Sequence, residues 1–171
     1  MITTTLSRTM ITVLSAVLVL VTLPIPVRAD SKEEIIAQGG GTTIIEGGTG
    51  GTTPVPVLTT VAFHVRRAGK TVTGAFECLA RAPESSNGSH SAQFTVNAMY
   101  VTGVVTDVTV SGDEAVLQGV ATITGLGAGS NVPFTFSVRN GGPGTPAVLT
   151  TGGLTFKETL VEGAFRVLGR Q

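Results

Sequence analysis

From Val57 onward, apolar and polar residues alternate with a period of two. Val61, Phe63 and Val65 alternate with Ala62, His64 and Arg66, the spacing of a strand with one buried face. Ala68-Gly69-Lys70 makes a turn, and the chain returns over Thr71 to Leu79 with Val72, Gly74, Phe76 and Cys78 on one face. Phe94, Val96 and Ala98 then alternate with Thr95 and Asn97. A strand over Val104 to Val110 follows, with Val104, Val108 and Val110 expected inward. Ser111-Gly112-Asp113-Glu114 reads as a tight turn, after which Ala115, Leu117, Ala121 and Ile123 share one side of a strand over Ala115 to Thr124. Beyond a glycine-rich connection at Gly125 to Asn131, Val132, Phe134, Phe136 and Val138 alternate against Thr135, Ser137 and Arg139. Asn140-Gly141-Gly142-Pro143-Gly144 stops that strand. Two or three more are expected at about 147–151, 153–158 and 160–168, the last with Val161, Gly163, Phe165 and Val167 in phase.

The pattern therefore predicts an all-β fold: a single antiparallel domain of about eight strands over residues 57–171. Short turns between consecutive strands require antiparallel pairing, because a parallel pair needs a long crossover. A β-sandwich and an up-and-down barrel both satisfy the pattern. The longest polar stretch, Arg81 to Ser91, reads as the most exposed loop. It contains Asn87-Gly88-Ser89, which fits a glycosylation sequon where the host has that machinery.

The first 56 residues follow other rules. Arg8 precedes an uncharged apolar run from Ile11 to Leu23, Pro24 and Pro26 break any helix, and Val27-Arg28-Ala29 offers a small residue for cleavage. Residues 1–29 are expected to be a secretory signal peptide cut after Ala29, since a membrane span needs about 20 apolar residues. Residues 30–56 read as a flexible Gly-rich linker with one edge strand at 42–46. Gly39-Gly40-Gly41 and Gly47-Gly48-Thr49-Gly50-Gly51 carry a high entropy cost on ordering.

Composition narrows the partners. Without Arg8 and Arg28 the remainder carries nine Lys/Arg against eleven Asp/Glu, a net charge of −2, which argues against a nucleic-acid-binding face. Arg66, Arg67 and Lys70 cluster, as expected of a solvated hairpin tip. Cys78 is the sole cysteine, so no intrachain disulfide forms; it reads as a small buried hydrophobe, the alternative being a disulfide-linked dimer.

No constellation points to catalysis, a metal or a cofactor. His64 falls on a polar face and His90 in the loop, and neither belongs to a nucleophile–base motif. Glu77, Asp107, Asp113 and Glu114 are the candidates for an acid pair, with Asp113 and Glu114 in a turn. No Cys/His spacing suits zinc, no acidic loop suits calcium, and the glycine-rich segments lack the Lys-Ser/Thr of a phosphate loop. With no Trp and only Tyr100, aromatic platforms are scarce, and the phenylalanines read as core.

The run Val101-Thr102-Gly103-Val104-Val105-Thr106-Asp107-Val108-Thr109-Val110-Ser111-Gly112-Asp113-Glu114-Ala115-Val116-Leu117-Gln118-Gly119 resembles one found in exported bacterial β-domains of the post-COAP type. Phe134-Thr135-Phe136-Ser137-Val138 and the stop at Asn140 to Gly144 extend the resemblance, which covers roughly residues 60–168. Most members of that family are uncharacterised secreted proteins, so it implies fold and export and no activity. Where family members often place an acidic residue after the turn, this chain has Thr145-Pro146.

The expectation is a secreted or periplasmic, non-enzymatic β domain acting in surface recognition or as a structural module. Its partner is an unidentified extracellular or envelope component, with no nucleic acid and no membrane attachment after cleavage. The alternative is a small β-barrel carrier of an apolar ligand. A closed barrel with an apolar cavity of about 300 Å³ or more favours the carrier, and a β-sandwich filled by Phe63, Phe76, Phe94, Phe134, Phe136 and Phe165 opposes it.

Overall fold

The computed structural model describes residues 34–48, 55–83 and 96–170. The expected signal peptide at 1–29, Phe94, His90 and the Asn87-Gly88-Ser89 sequon lie outside the described residues, as does most of the Arg81–Ser91 loop. Eight strands follow one another: β1 (Glu34–Ile45), β2 (Leu58–Ala68), β3 (Thr71–Ala82), β4 (Val96–Ser111), β5 (Glu114–Gly125), β6 (Gly129–Arg139), β7 (Pro146–Thr151) and β8 (Leu154–Arg170). Each pairs antiparallel with the next, and β8 pairs with β1, so the sheet closes into an up-and-down barrel rather than a sandwich. The expected turns are present: Gly69 (φ 61°) joins β2 to β3, and Gly112 (φ 62°) joins β4 to β5. The segments expected at 153–158 and 160–168 are one continuous strand, β8.

The strand that closes the barrel is the one assigned by sequence to a linker. Instead of a tether with a short edge strand at 42–46, Glu34–Ile45 pairs with β2 over its length and with β8 from Glu34↔Arg170 to Ile45↔Glu158. The glycines fit because neighbouring strands, and at Gly39 the Phe165 ring, approach where a side chain would stand. Gly39 faces Phe63 of β2 and Phe165 of β8, and a Cβ there would stand 2.5 Å from the Ala164 carbonyl oxygen and 2.9 Å from the Phe165 ring. A lone glycine in a strand costs about 0.5–1 kcal/mol in backbone entropy. Burying a phenylalanine contributes roughly 1.5–3 kcal/mol, which offsets that cost. The same exchange operates at Gly119, opposite Phe134, where a Cβ would lie 2.7 Å from the Phe134 ring.

Inside, five rings form a continuous chain. Phe165 lies 5.5 Å from Phe63, Phe63 5.4 Å from Phe136, Phe136 4.7 Å from Phe76, and Phe76 5.0 Å from Phe134, measured between ring centroids. These spacings fall in the favourable range for aromatic pairs. Aliphatic side chains from all eight strands, among them Ile35, Val61, Val101, Leu117, Leu149 and Leu160, complete the core.

Two irregularities shift the inward phase away from strict alternation. In β4 the register slips between Val105 and Asp107, where Thr106 is the extra residue. Met99, Val101 and Val105 therefore point inward before the slip and Val108 after it, whereas Val104, expected inside, is 60% exposed. In β8 the register slips opposite Thr42/Thr43, so that Phe165 and Val167 face in on one side of the bulge and Glu158 and Leu160 on the other. Val161, expected in phase with Phe165, is 46% exposed.

Candidate functional site

Among the described residues, the interior holds one cluster of polar side chains bonded to one another. Thr43 of β1 and Thr59 of β2 are cross-strand partners, and Glu158 of β8 reaches between them. Both hydroxyls donate to Glu158 Oε2, Thr59 from 2.7 Å, and the two threonine hydroxyls also touch each other. Glu158 is only 1% exposed, and no described residue forms an ion pair with it. Burial pushes its carboxyl above the ordinary range, and the donated hydrogen bonds from Thr43 and Thr59 offset only part of that. Cys78 of β3 is buried beside them. Burial, followed by the nearby Glu158, drives its thiol strongly upward, while Thr59 pulls the other way. A protonated thiol is a poor nucleophile. The cluster is suited to packing and hydrogen bonding inside the wall, and Cys78 is enclosed where no second chain can reach its sulfur.

The outer wall offers more to a partner. A cavity of about 520 Å³ lies over β2, β3, β4 and the end of β5, bordered by Glu77, Leu79, Arg81, Asn97, Tyr100 and Thr124. Leu79 and Tyr100 face each other across β3 and β4 and form an apolar floor. Alternation along β3 brings Glu77, Leu79 and Arg81 to one face, because residues two apart in a strand point the same way. Beside this groove, and sharing Ala62 and Glu77 with it, a second cavity of about 290 Å³ includes His64 and Ala75.

The residues singled out by sequence are dispersed. His64 is exposed on the outer wall. Glu77 faces solvent and is paired in register with Thr102, five positions along β4 from Asp107, a separation of about 16 Å at strand rise. They form no acid pair. Glu114 accepts a hydrogen bond from Ser137 Oγ at 2.6 Å and pairs with Arg139 at 3.4 Å, serving the β5–β6 wall. The basic hairpin tip is more engaged than expected. Arg66 pairs with Glu34 of β1 at 2.8 Å, while Arg67 donates to the Val108 carbonyl at 2.8 Å and lies 3.9 Å from Asp107. The β3–β4 register ends at Ala75↔Val104, so the Arg67 guanidinium serves a β4 carbonyl beyond the reach of that pairing.

Glu158 escaped the sequence reading, although a signal existed. It stands in phase with Phe156 and Leu160, an acid in an otherwise apolar row. Among the described residues, no three His, Cys, Asp or Glu side chains gather as a metal site would require, and no helix is long and apolar enough to cross a membrane. No protein-family model matches the chain, and no curated protein and no solved structure matches it either.

Proposed function

We propose that this chain is an exported, non-enzymatic β-barrel module that acts by recognition through its outer wall. The observation that carries the reading is the division between inside and outside. The interior is occupied by the chain of five phenylalanine rings, while the outside carries a groove lined by the hydrogen-bonding side chains of Glu77, Arg81, Asn97 and Tyr100. A carrier of apolar ligands needs interior space of a few hundred Å³, and the packed rings weigh against it. The resemblance to post-COAP-type exported domains supports the export half of the reading.

Two measurements test this. Immobilised protein should retain a component of the extracellular or envelope fraction, and a Leu79→Ser/Tyr100→Ala variant should lose it while melting normally. Equal retention by both proteins contradicts recognition at the groove. Titration with a fluorescent fatty acid should give no saturable signal; one-to-one saturation revives the carrier reading.

A further inference from the structure

We infer that the outer groove binds a neutral oligosaccharide, with Tyr100 as its stacking platform, an inference that rests on the wall-recognition reading. The first argument is topological. Extended peptides are commonly captured by adding a strand to a free sheet edge, and a closed barrel has no such edge. Recognition on this wall therefore falls to side chains on a sheet face, which suits a ligand that presents hydroxyl groups to them.

The second argument is the placement of aromatics. Among the described residues the five buried aromatic rings are all phenylalanine, and the chain's single tyrosine is outside, 39% exposed. A phenol has an apolar face and a polar tip. With Leu79 beside it, Tyr100 offers the C–H face of a sugar ring a flat apolar floor. The third is the rim. Glu77 accepts, Arg81 donates, and Asn97 and Thr124 do both. Among the described residues Glu77, Arg81, Asn97 and Tyr100 have no side-chain hydrogen bond or ion pair, leaving those groups to a ligand.

Charge chooses the subclass. Among the described residues lining it, the groove carries one carboxylate and one guanidinium, and that balance favours a neutral ligand over a sulfated or uronic-acid polymer. Length follows from the adjoining cavity. It continues from Glu77 and Ala62 toward His64 and Ala75, so a chain of several sugars fits better than one. A nucleic-acid strand, the other ligand with flat rings and many acceptors, is disfavoured because the described residues lining the groove include no basic track and no aromatic besides Tyr100.

The test uses the purified full chain on an array of immobilised neutral oligosaccharides (glucans, mannans, xylans and chitin fragments) with uronic-acid and sulfated oligomers alongside. Calorimetry with the best-bound compound then follows. Saturable binding to a neutral oligomer is expected, longer chains binding better. Tyr100→Ala should weaken it about tenfold, the size of one stacking contact, and Tyr100→Phe should keep most of it. Arg81→Gln and Glu77→Gln, on exposed positions that leave the melting temperature unchanged, should each weaken it severalfold. Binding only to acidic glycans, or binding indifferent to Tyr100→Ala, overturns the inference. If no saccharide binds but another component is retained in a Tyr100-dependent way, the saccharide class falls and wall recognition stands. If neither depends on the groove, both fall.

Discussion

The two parts of the barrel interior are held by different forces. Where Phe63, Phe76, Phe134, Phe136 and Phe165 meet, cohesion is apolar burial and ring packing, which do not vary with proton concentration. Where β1, β2 and β8 meet, cohesion runs through Thr43, Thr59 and a buried carboxyl, Glu158. The first region tolerates changes of pH and resists changes of volume. The second responds to pH, since its stability depends on which protonation state the barrel encloses. Both regions stand on the same glycine-rich strand, since Gly39 faces two of the rings and Thr43 completes the polar cluster.

The contrast can be broken most severely at Phe136, which is fully buried and contacts both Phe63 and Phe76. Phe136→Ala should cost about 3–5 kcal/mol in urea denaturation; a loss below about 1 kcal/mol would mean the rings are not closely packed. In the polar region, Thr59→Val removes one of the two hydroxyls on Glu158 and should cost about 1–3 kcal/mol, because a buried acceptor loses its donor.

The pH dependence sharpens the difference further. The Glu158 carboxyl is raised in the folded barrel above its ordinary value of 4.5, so the folded state holds a proton that the unfolded chain releases. Its contribution is complete below about pH 4.5 and is lost as pH rises toward and through the folded value. The wild type should therefore lose melting temperature across that window, and Glu158→Gln should flatten the slope while Phe136→Ala leaves it parallel to wild type. A Glu158→Gln slope identical to wild type assigns the pH effect elsewhere. The smallest expected signal concerns Cys78, which should react with a thiol reagent only as fast as the barrel unfolds. Immediate modification under native conditions contradicts its enclosure.

Much of this architecture was legible in the sequence because strand alternation is a local signal. The rows Val61-Phe63-Val65 and Phe134-Phe136-Val138 have the inward phase that their spacing predicts. Val104 and Val161 do not, since a one-residue bulge is set by pairing with a neighbour and leaves no mark in the strand's own period. The choice between sandwich and barrel was hidden for the same reason: closure depends on Glu34–Ile45 meeting β8, more than a hundred residues away. Its glycines look like a tether until the close approach of β2 and β8, with the Phe165 ring at Gly39, is known. Of the groove, Tyr100 and Glu77 were visible as residues, yet their meeting with Arg81 and Asn97 on one face required the β3–β4 register.

Closure by β1 is the claim on which the filled interior and the outward-facing site both depend. Native-state hydrogen exchange resolved to Glu34–Ile45 tests it most directly. Amides of this segment should be protected to the same degree as those of β5 and β6, since opening β1 means opening the barrel. Exchange of Gly39, Gly40 and Gly41 at free-peptide rates, with β5 and β6 still protected, would return the segment to a tether and leave the barrel open.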